Sequence, residues 1–242
     1  MASWALVTGA TAGIGESFTR LLADNNYNIV LVARDLPRLE ERARALEAQY
    51  KISTHLIQAD LATDAGCAVV EQYITSNQID VLINNAGFGL NKAFTMSELV
   101  AEQQMMDVLV RTPMRLMHSA LPGMKERNKG IVINVSSVAG YIAGGSYSAA
   151  KSYLTVISES LNTELAATNV KVSALCPGFL DTPLVSPLAR EFASTFSLGV
   201  MPVEVAGDLA MRALTERING SQWVVSAGFP IARYEHKDPF LG

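Results

Sequence analysis

Short, nearly unbroken apolar runs alternate along the chain with longer amphipathic stretches. The apolar runs cover Trp4 to Val7, Asn28 to Val32, His55 to Ile57, Val81 to Ile83, Ile131 to Val135, Val170 to Leu175 and Gln222 to Val225. Several are rich in Val and Ile without polar alternation, the pattern of strands covered on both faces. Between them, Gly15 to Ala23, Pro37 to Tyr50, Ala65 to Ser76, Ser97 to Arg127, Tyr147 to Thr168 and Pro202 to Glu216 carry helical spacing. Pro37 suits a helix start, where its missing N–H costs nothing. Regular strand–helix alternation predicts βαβ units with right-handed crossovers. The fold class is therefore α/β: a doubly wound, seven-stranded parallel sheet with helices on both faces. No Pro/Ser-rich linker, repeat or low-complexity tract divides residues 1–242, which read as a single domain. Two stretches break the rhythm: the apolar, irregular residues 178–201 and the tail 228–242, which shows neither period.

Composition narrows the class. Hydrophobic residues make up 49% and charged residues 17% of the chain, far from the signature of disorder. The net charge of −4 gives no electrostatic footprint for nucleic acid or an anionic membrane. The two cysteines, Cys67 and Cys176, imply no disulfide framework and suit a reducing compartment. The N-terminus has no signal-peptide pattern, and no apolar run is long enough to span a bilayer. A cytoplasmic location is expected. His55, His118 and His236 lack metal-ligand spacing, so no metal is expected.

Directly after the first strand stands Thr8-Gly9-Ala10-Thr11-Ala12-Gly13-Ile14-Gly15. Glycines here permit a tight turn, close approach to a pyrophosphate, and packing of the following helix on the strand. The helix N-terminus then offers free N–H groups to phosphate. The strand-before, helix-after context marks a Rossmann-type dinucleotide site. Nineteen residues beyond Gly15, Ala33-Arg34-Asp35 closes the second strand. An acid at this place binds a ribose 2′-OH, whereas an Arg suits a 2′-phosphate. Arg34 offers such a planar donor fork, so the expected cofactor is NADP(H), with Asp35 as ribose acid the competing reading.

The sixth helical stretch opens with Tyr147-Ser148-Ala149-Ala150-Lys151. Residues at i and i+4 share a helix face, so Tyr147 and Lys151 can approach one ligand. A neighbouring ammonium favours the phenolate and brings Tyr towards the range of a general acid/base. Ser136-Ser137 at the end of the fifth strand places a hydroxyl beside the same cleft.

Together these residues resemble the short-chain dehydrogenases/reductases over nearly the whole chain. T-G-A-T-A-G-I-G (8–15) is similar to that family's cofactor turn, Asp60-Leu61 to its adenine-contacting pair, and Asn84-Asn85-Ala86-Gly87 to the motif after its fourth strand. Ser137 with Y-S-A-A-K (147–151) resembles the catalytic set, and Pro177-Gly178-Phe179-Leu180-Asp181-Thr182 the P-G-x-x-x-T segment that holds the nicotinamide. The resemblance implies hydride transfer between nicotinamide and a carbonyl or alcohol carbon. Tyr147 would be the acid/base, Lys151 would lower its pKa and bind ribose hydroxyls, and Ser137 would bind the substrate oxygen. Gly9, Thr11, Gly13, Ile14, Gly15, Arg34, Asp60, Leu61, Asn85, Ala86, Gly87, Pro177, Gly178 and Thr182 would line the cofactor with Tyr147 and Lys151. It also implies a homodimer or homotetramer.

Two departures from the family stand out. D-V-L-V-R-T-P (107–113) aligns Leu109 with the family's usual helical Asn, and Leu has no side-chain hydrogen bond to give a proton-relay water. Ser137 precedes Tyr147 by only 10 residues, a shorter spacing than the family's, through the Gly-rich V-A-G-Y-I-A-G-G-S. Apolar residues such as Phe88, Tyr141, Ile142, Phe179, Leu184 and Phe192 fall in loops around the cleft, which favours an apolar small-molecule carbonyl or alcohol. The competing class is a non-catalytic, NADP-binding sensor or regulator on the same fold. An epimerase or dehydratase stands third, since no further acid/base pair is declared by spacing.

Overall fold

The computed structural model describes residues 3–90 and 92–178, and the backbone of Gln222–Val225 and Ala232–Arg233. The elements run β1 (Trp4–Thr8), α1 (Gly13–Asp24), β2 (Asn28–Ala33), α2 (Leu36–Tyr50), β3 (Thr54–Gln58), α3 (Asp64–Ser76) and β4 (Val81–Asn84). There follow α4 (Leu99–Met106), α5 (Thr112–Glu126), β5 (Gly130–Val135), α6 (Gly145–Glu164), β6 (Val170–Pro177), β7 (Gln222–Val225) and β8 (Ala232–Arg233). The sheet order is β3-β2-β1-β4-β5-β6-β7-β8. Pairing is parallel throughout, except that β8 runs antiparallel to β7. The seven expected strands are thus present, and the tail expected to be irregular contributes an eighth, a two-residue edge strand. The expected helix over Pro202–Glu216 and most of the 178–201 segment lie outside the described residues.

The strands read as continuous apolar runs because successive side chains leave on opposite faces and both faces are covered. Ala5 and Val7, Ile29 and Leu31, Val81 and Ile83, and Ile133 and Val135 face one layer, where Phe18 and Leu22 of α1 and Leu39 and Leu46 of α2 meet them. Leu6, Val30, Val32, Leu82, Val132, Val170 and Val172 face the other, against Val70 and Ile74 of α3 and Leu116, Met117, Ala120 and Met124 of α5. A buried polar seam crosses this apolar core. Asn84 Nδ2 donates to Asn134 Oδ1 (2.8 Å), and Asn134 Nδ2 donates to Ser158 Oγ on α6 (2.8 Å). That seam fixes the register of α6 on β4 and β5, since an unmatched amide there would be costly.

The long helix expected over Ser97 to Arg127 is broken. Between α4 and α5 the chain makes a π-helical turn over Asp107–Arg111, in which the Thr112 N–H reaches back to the Asp107 carbonyl. The extra residue in the turn follows from side-chain demands on both sides. Leu109 is buried with Met105 and Ala150, while Arg111 reaches out to pair with Asp64 and to donate to the Ala62 carbonyl (3.0 Å). α6 begins two residues earlier than expected, at Gly145, whose φ of +76° only glycine adopts freely. Among the described residues, no helix is long and apolar enough to cross a membrane.

Phe18 is fully buried between α1 and the sheet. Its replacement by Ala is expected to remove about 3–5 kcal/mol of stability, read as a lowered urea midpoint with an unchanged slope.

Candidate active site

Strand order reverses between β1 and β4, which neighbour each other while their successors β2 and β5 depart to opposite sides. Ligands of open α/β sheets bind at this switch point, outside the carboxyl ends of the strands. Here the two chain exits are stapled by Thr8. Its hydroxyl accepts from the Asn85 and Ala86 N–H groups (2.9 and 3.0 Å) and donates to the Ile83 carbonyl (3.3 Å). Asn85 adds its amide, donating to the Thr8 and Gly9 carbonyls (2.8 and 3.2 Å). The glycine turn runs against this staple: a Cβ at Gly15 would stand 2.2 Å from the Gly9 oxygen and 2.4 Å from Asn85 Nδ2. Gly9 and Gly13 have φ of +65° and +55°. No side chain caps α1, whose N-cap is Ala12, so the N–H groups of Gly13, Ile14 and Gly15 stay open to an anion. These features fit a dinucleotide phosphate.

Arg34 is exposed at the end of β2, its side chain without an ion pair to any described residue, and Gln58 Nε2 donates to its carbonyl (3.0 Å). Asp35 is engaged as the N-cap of α2, accepting from the Arg38 N–H (3.1 Å). Asp60 is exposed and accepts from the Ala62 N–H (3.1 Å). The side chain of Leu61 is buried in the core, so only its backbone can meet a ligand. Pro177 closes β6 and Gly178 follows it, whereas Thr182 lies outside the described residues.

Ser137, Tyr147 and Lys151 come together at the carboxyl end of β5. The Ser137 hydroxyl stands near enough to the Tyr147 phenol to act on its pKa, and accepts from the Ala139 N–H (3.1 Å). Ser136 does not face the cleft; it is buried beneath α6. Lys151 is buried, its Nζ donates to the Val135 carbonyl (2.7 Å), and it lies 5.6 Å from the centre of the Tyr147 ring. Burial pushes the Lys151 pKa down to about 8, partly opposed by the nearby Cys176 thiol. Burial raises the Tyr147 pKa, and the Ser137 hydroxyl opposes that rise. The lowering expected of Tyr147 from Lys151 is thus not present in the protein alone, where desolvation dominates and the ammonium turns towards Val135.

Both departures from the family pattern have a physical account. Leu109 presses its Cδ2 to within 2.8 Å of where a Cβ at Gly87 would stand, filling apolar space beside Tyr147 and Ala150. The short Ser137–Tyr147 connection is possible because Gly140 sits flat on α6. A Cβ there would lie 3.0 Å from the Ser152 nitrogen. Sequence reasoning missed the support beneath Lys151, made by Val135, Ser136, Thr155 and Cys176. The signal was the continued four-residue spacing Tyr147, Lys151, Thr155 along one helix face. His55 stacks on Tyr73 with ring centres 4.4 Å apart, a structural use. Among the described residues, no group of His, Cys, Asp and Glu side chains is placed to hold a metal.

A glycine-lined turn open to an anion thus stands at the switch point, and a Ser–Tyr–Lys group stands at the carboxyl end of β5. The family model described as short chain dehydrogenase matches residues 3–192, and the chain belongs to that family. An uncharacterized oxidoreductase of Staphylococcus saprophyticus is 34% identical over 185 residues, 74% of this chain and 79% of the relative. A short-chain dehydrogenase from Sphingobium yanoikuyae, solved in complex with NADPH, is similar with a TM-score of 0.83 and 27% identity, covering 91% of this chain and 87% of that one. The bulky-bulky ketone specific alcohol dehydrogenase from Comamonas testosteroni matches with a TM-score of 0.82 and 28% identity, covering 92% and 85%. The protein is an oxidoreductase of a family that uses nicotinamide cofactors on small molecules.

Lys151 titrates at about 8 in the fold against 10.5 for an ordinary lysine. Between these values the unfolded chain holds the extra proton, so stability rises with pH across that window and falls as pH drops through about 8. Lys151→Met is expected to abolish this rise, measured as urea-unfolding free energy against pH.

Proposed function

We propose that the protein is an NADP(H)-dependent carbonyl reductase or alcohol dehydrogenase acting on an apolar small molecule. The observation that carries this reading is the convergence of the Ser137 hydroxyl, the Tyr147 phenol and the buried Lys151 ammonium beside the open turn of α1. When bound, the cofactor supplies the hydride; the chain supplies orientation, charge and a proton. The Ser137 hydroxyl is free to bond a carbonyl oxygen, stabilising the charge that develops there. Tyr147 gives its phenolic proton to that oxygen, and takes it back in the oxidative direction. Lys151, with a pKa already near neutrality, holds positive charge close to the ring at working pH and favours the phenolate as it forms. Its two remaining N–H donors are available to ribose hydroxyls. Leu109, Met105 and Ala150, with Phe88, Leu90 and Met106 packed on them, make an apolar wall against Tyr147 and support an apolar substrate.

The preference for NADP(H) rests on the exposed Arg34 and on the engagement of Asp35 as a helix cap, which turns that carboxylate towards the Arg38 amide. The NADPH complex of the Sphingobium yanoikuyae relative supports the same choice.

Tyr147→Phe is expected to abolish NADPH consumption on a panel of apolar aldehydes and ketones, followed by loss of cofactor absorbance, while NADPH still binds. Wild-type protein that binds NADPH tightly and turns over no member of the panel would favour a cofactor-binding regulator instead. Arg34→Asp is expected to weaken NADPH more than about tenfold, or 1.4 kcal/mol, and to leave NADH binding little changed. An equal response of both cofactors, measured by titration, would remove Arg34 from the 2′-phosphate.

A further inference from the structure

Three consecutive positions at the end of β5 each hold a different part of the Tyr147–Lys151 pair. The Val135 carbonyl takes the Lys151 ammonium (2.7 Å), and the Ser137 hydroxyl stands beside the Tyr147 phenol. Between them, Ser136 Oγ donates to the backbone carbonyl of Lys151 itself (2.6 Å). Ser136 is in turn fixed by β6, since its N–H donates to the Leu175 carbonyl (2.7 Å). We propose that Ser136, together with Thr155, is a positioning residue for the reaction, which fixes the height and rotation of α6 on β5 and so the seating of the Lys151 ammonium on the Val135 carbonyl and of the Tyr147 phenol beside Ser137. The proposal rests on the oxidoreductase reading of this site.

The hydrogen-bond inventory supports a directed function for this cluster. Thr155 Oγ1 lies 2.8 Å from Ser136 Oγ, 3.1 Å from the Lys151 carbonyl and 3.7 Å from Cys176 Sγ, and the Tyr141 hydroxyl donates to the same sulfur (3.5 Å). Each hydroxyl or thiol has one hydrogen. When Tyr141 donates to Cys176, Cys176 to Thr155, Thr155 to Ser136, and Ser136 to the Lys151 carbonyl, every contact is met except that of Thr155 with the Lys151 carbonyl, which the Thr155 hydrogen serves only in place of Ser136. Ser136, Thr155, Cys176 and Lys151 are all buried, so no water competes for these bonds. A helix carbonyl already accepts one N–H within the helix, and a second donor from a neighbouring strand is not needed for helix formation. Its effect is to tie the helix to the strand at the residue whose side chain must be placed. The chain also reaches Tyr141, in the short connection between Ser137 and Tyr147, and thereby ties that loop to the same point.

Either hydroxyl can serve the Lys151 carbonyl, so single losses should be partly covered and the double loss should not. Ser136→Ala and Thr155→Val are each expected to lower kcat about threefold to tenfold, and the double variant about 100-fold, the scale of an ångström's misplacement. NADPH Kd and substrate KM should stay within about threefold of wild type, because the residues touch neither ligand. Ser136→Thr, which keeps the hydroxyl, should recover most of the lost kcat. A structural role alone would lower the unfolding midpoint without this split between kcat and KM, and Ser136→Thr would then restore stability but no rate. A double variant with wild-type kcat, or one whose loss lies wholly in NADPH affinity, would overturn the positioning role while Tyr147-dependent turnover of the wild type kept the oxidoreductase reading intact. If the wild type itself showed no Tyr147-dependent turnover, both readings would fall together.

Discussion

A buried ammonium is the constraint around which the carboxyl end of β5 and the start of α6 are arranged. An isolated charge of that kind is strongly disfavoured in an apolar interior, and it persists only where acceptors and compensating structure are built for it. Lys151 meets one side of that requirement with the Val135 carbonyl at 2.7 Å, and answers the rest by a depressed pKa. The same burial makes the charge useful. Lys151 is itself shielded from water, so whatever charge it carries acts on the Tyr147 ring, 5.6 Å away, through little screening. The end of β5 must therefore be placed with care, and the neighbouring strands, the Asn84–Asn134–Ser158 seam and the Ser136–Thr155 pair all bear on it.

The cofactor end solves a different problem with the opposite chemistry. What the glycine turn offers an anion is open backbone N–H groups and positive-φ glycines, since no side chain of the described residues caps α1. What fixes that turn is neutral and short: the Thr8 hydroxyl with two N–H groups and the Asn85 amide with two carbonyls. Asn85 and Gly15 are coupled sterically, since the turn passes so close that no side chain fits between them. Asn85 thus shapes the glycine turn through the backbone it holds. Leu109 shows how the same framework absorbs an apolar residue at a customary polar position. The π-helical turn swings the side chain inwards against Gly87, and the wall beside Tyr147 becomes hydrocarbon.

The strands, the first three helices and the order of motifs were legible along the chain because each is a local signal. Apolar runs without alternation announce a sheet covered twice, and Thr8 to Gly15 announces a phosphate turn by glycines set between a strand and a helix. Arg34 and the Tyr147–Lys151 pair were equally readable, one from its place after β2 and the other from helical spacing. The break of the expected long helix at Asp107–Arg111 was not readable, since its cause is a contest between the inward packing of Leu109 and the outward pull of Asp64 on Arg111. The early start of α6 at Gly145 was hidden for a related reason: its positive φ is tolerable only at glycine, but two glycines were available there.

By itself the sequence determined the class of fold, the glycine turn after the first strand and the pairing of Tyr147 with Lys151, since periodicity, glycine placement and i, i+4 spacing act over a few residues at a time. Which of two adjacent serines turns to the phenol, which way the lysine ammonium points, and how far the tyrosine is desolvated were decided only in the tertiary structure. Those properties depend on groups that meet across β5, β6 and α6, residues far apart in the chain, and on the water that their packing excludes.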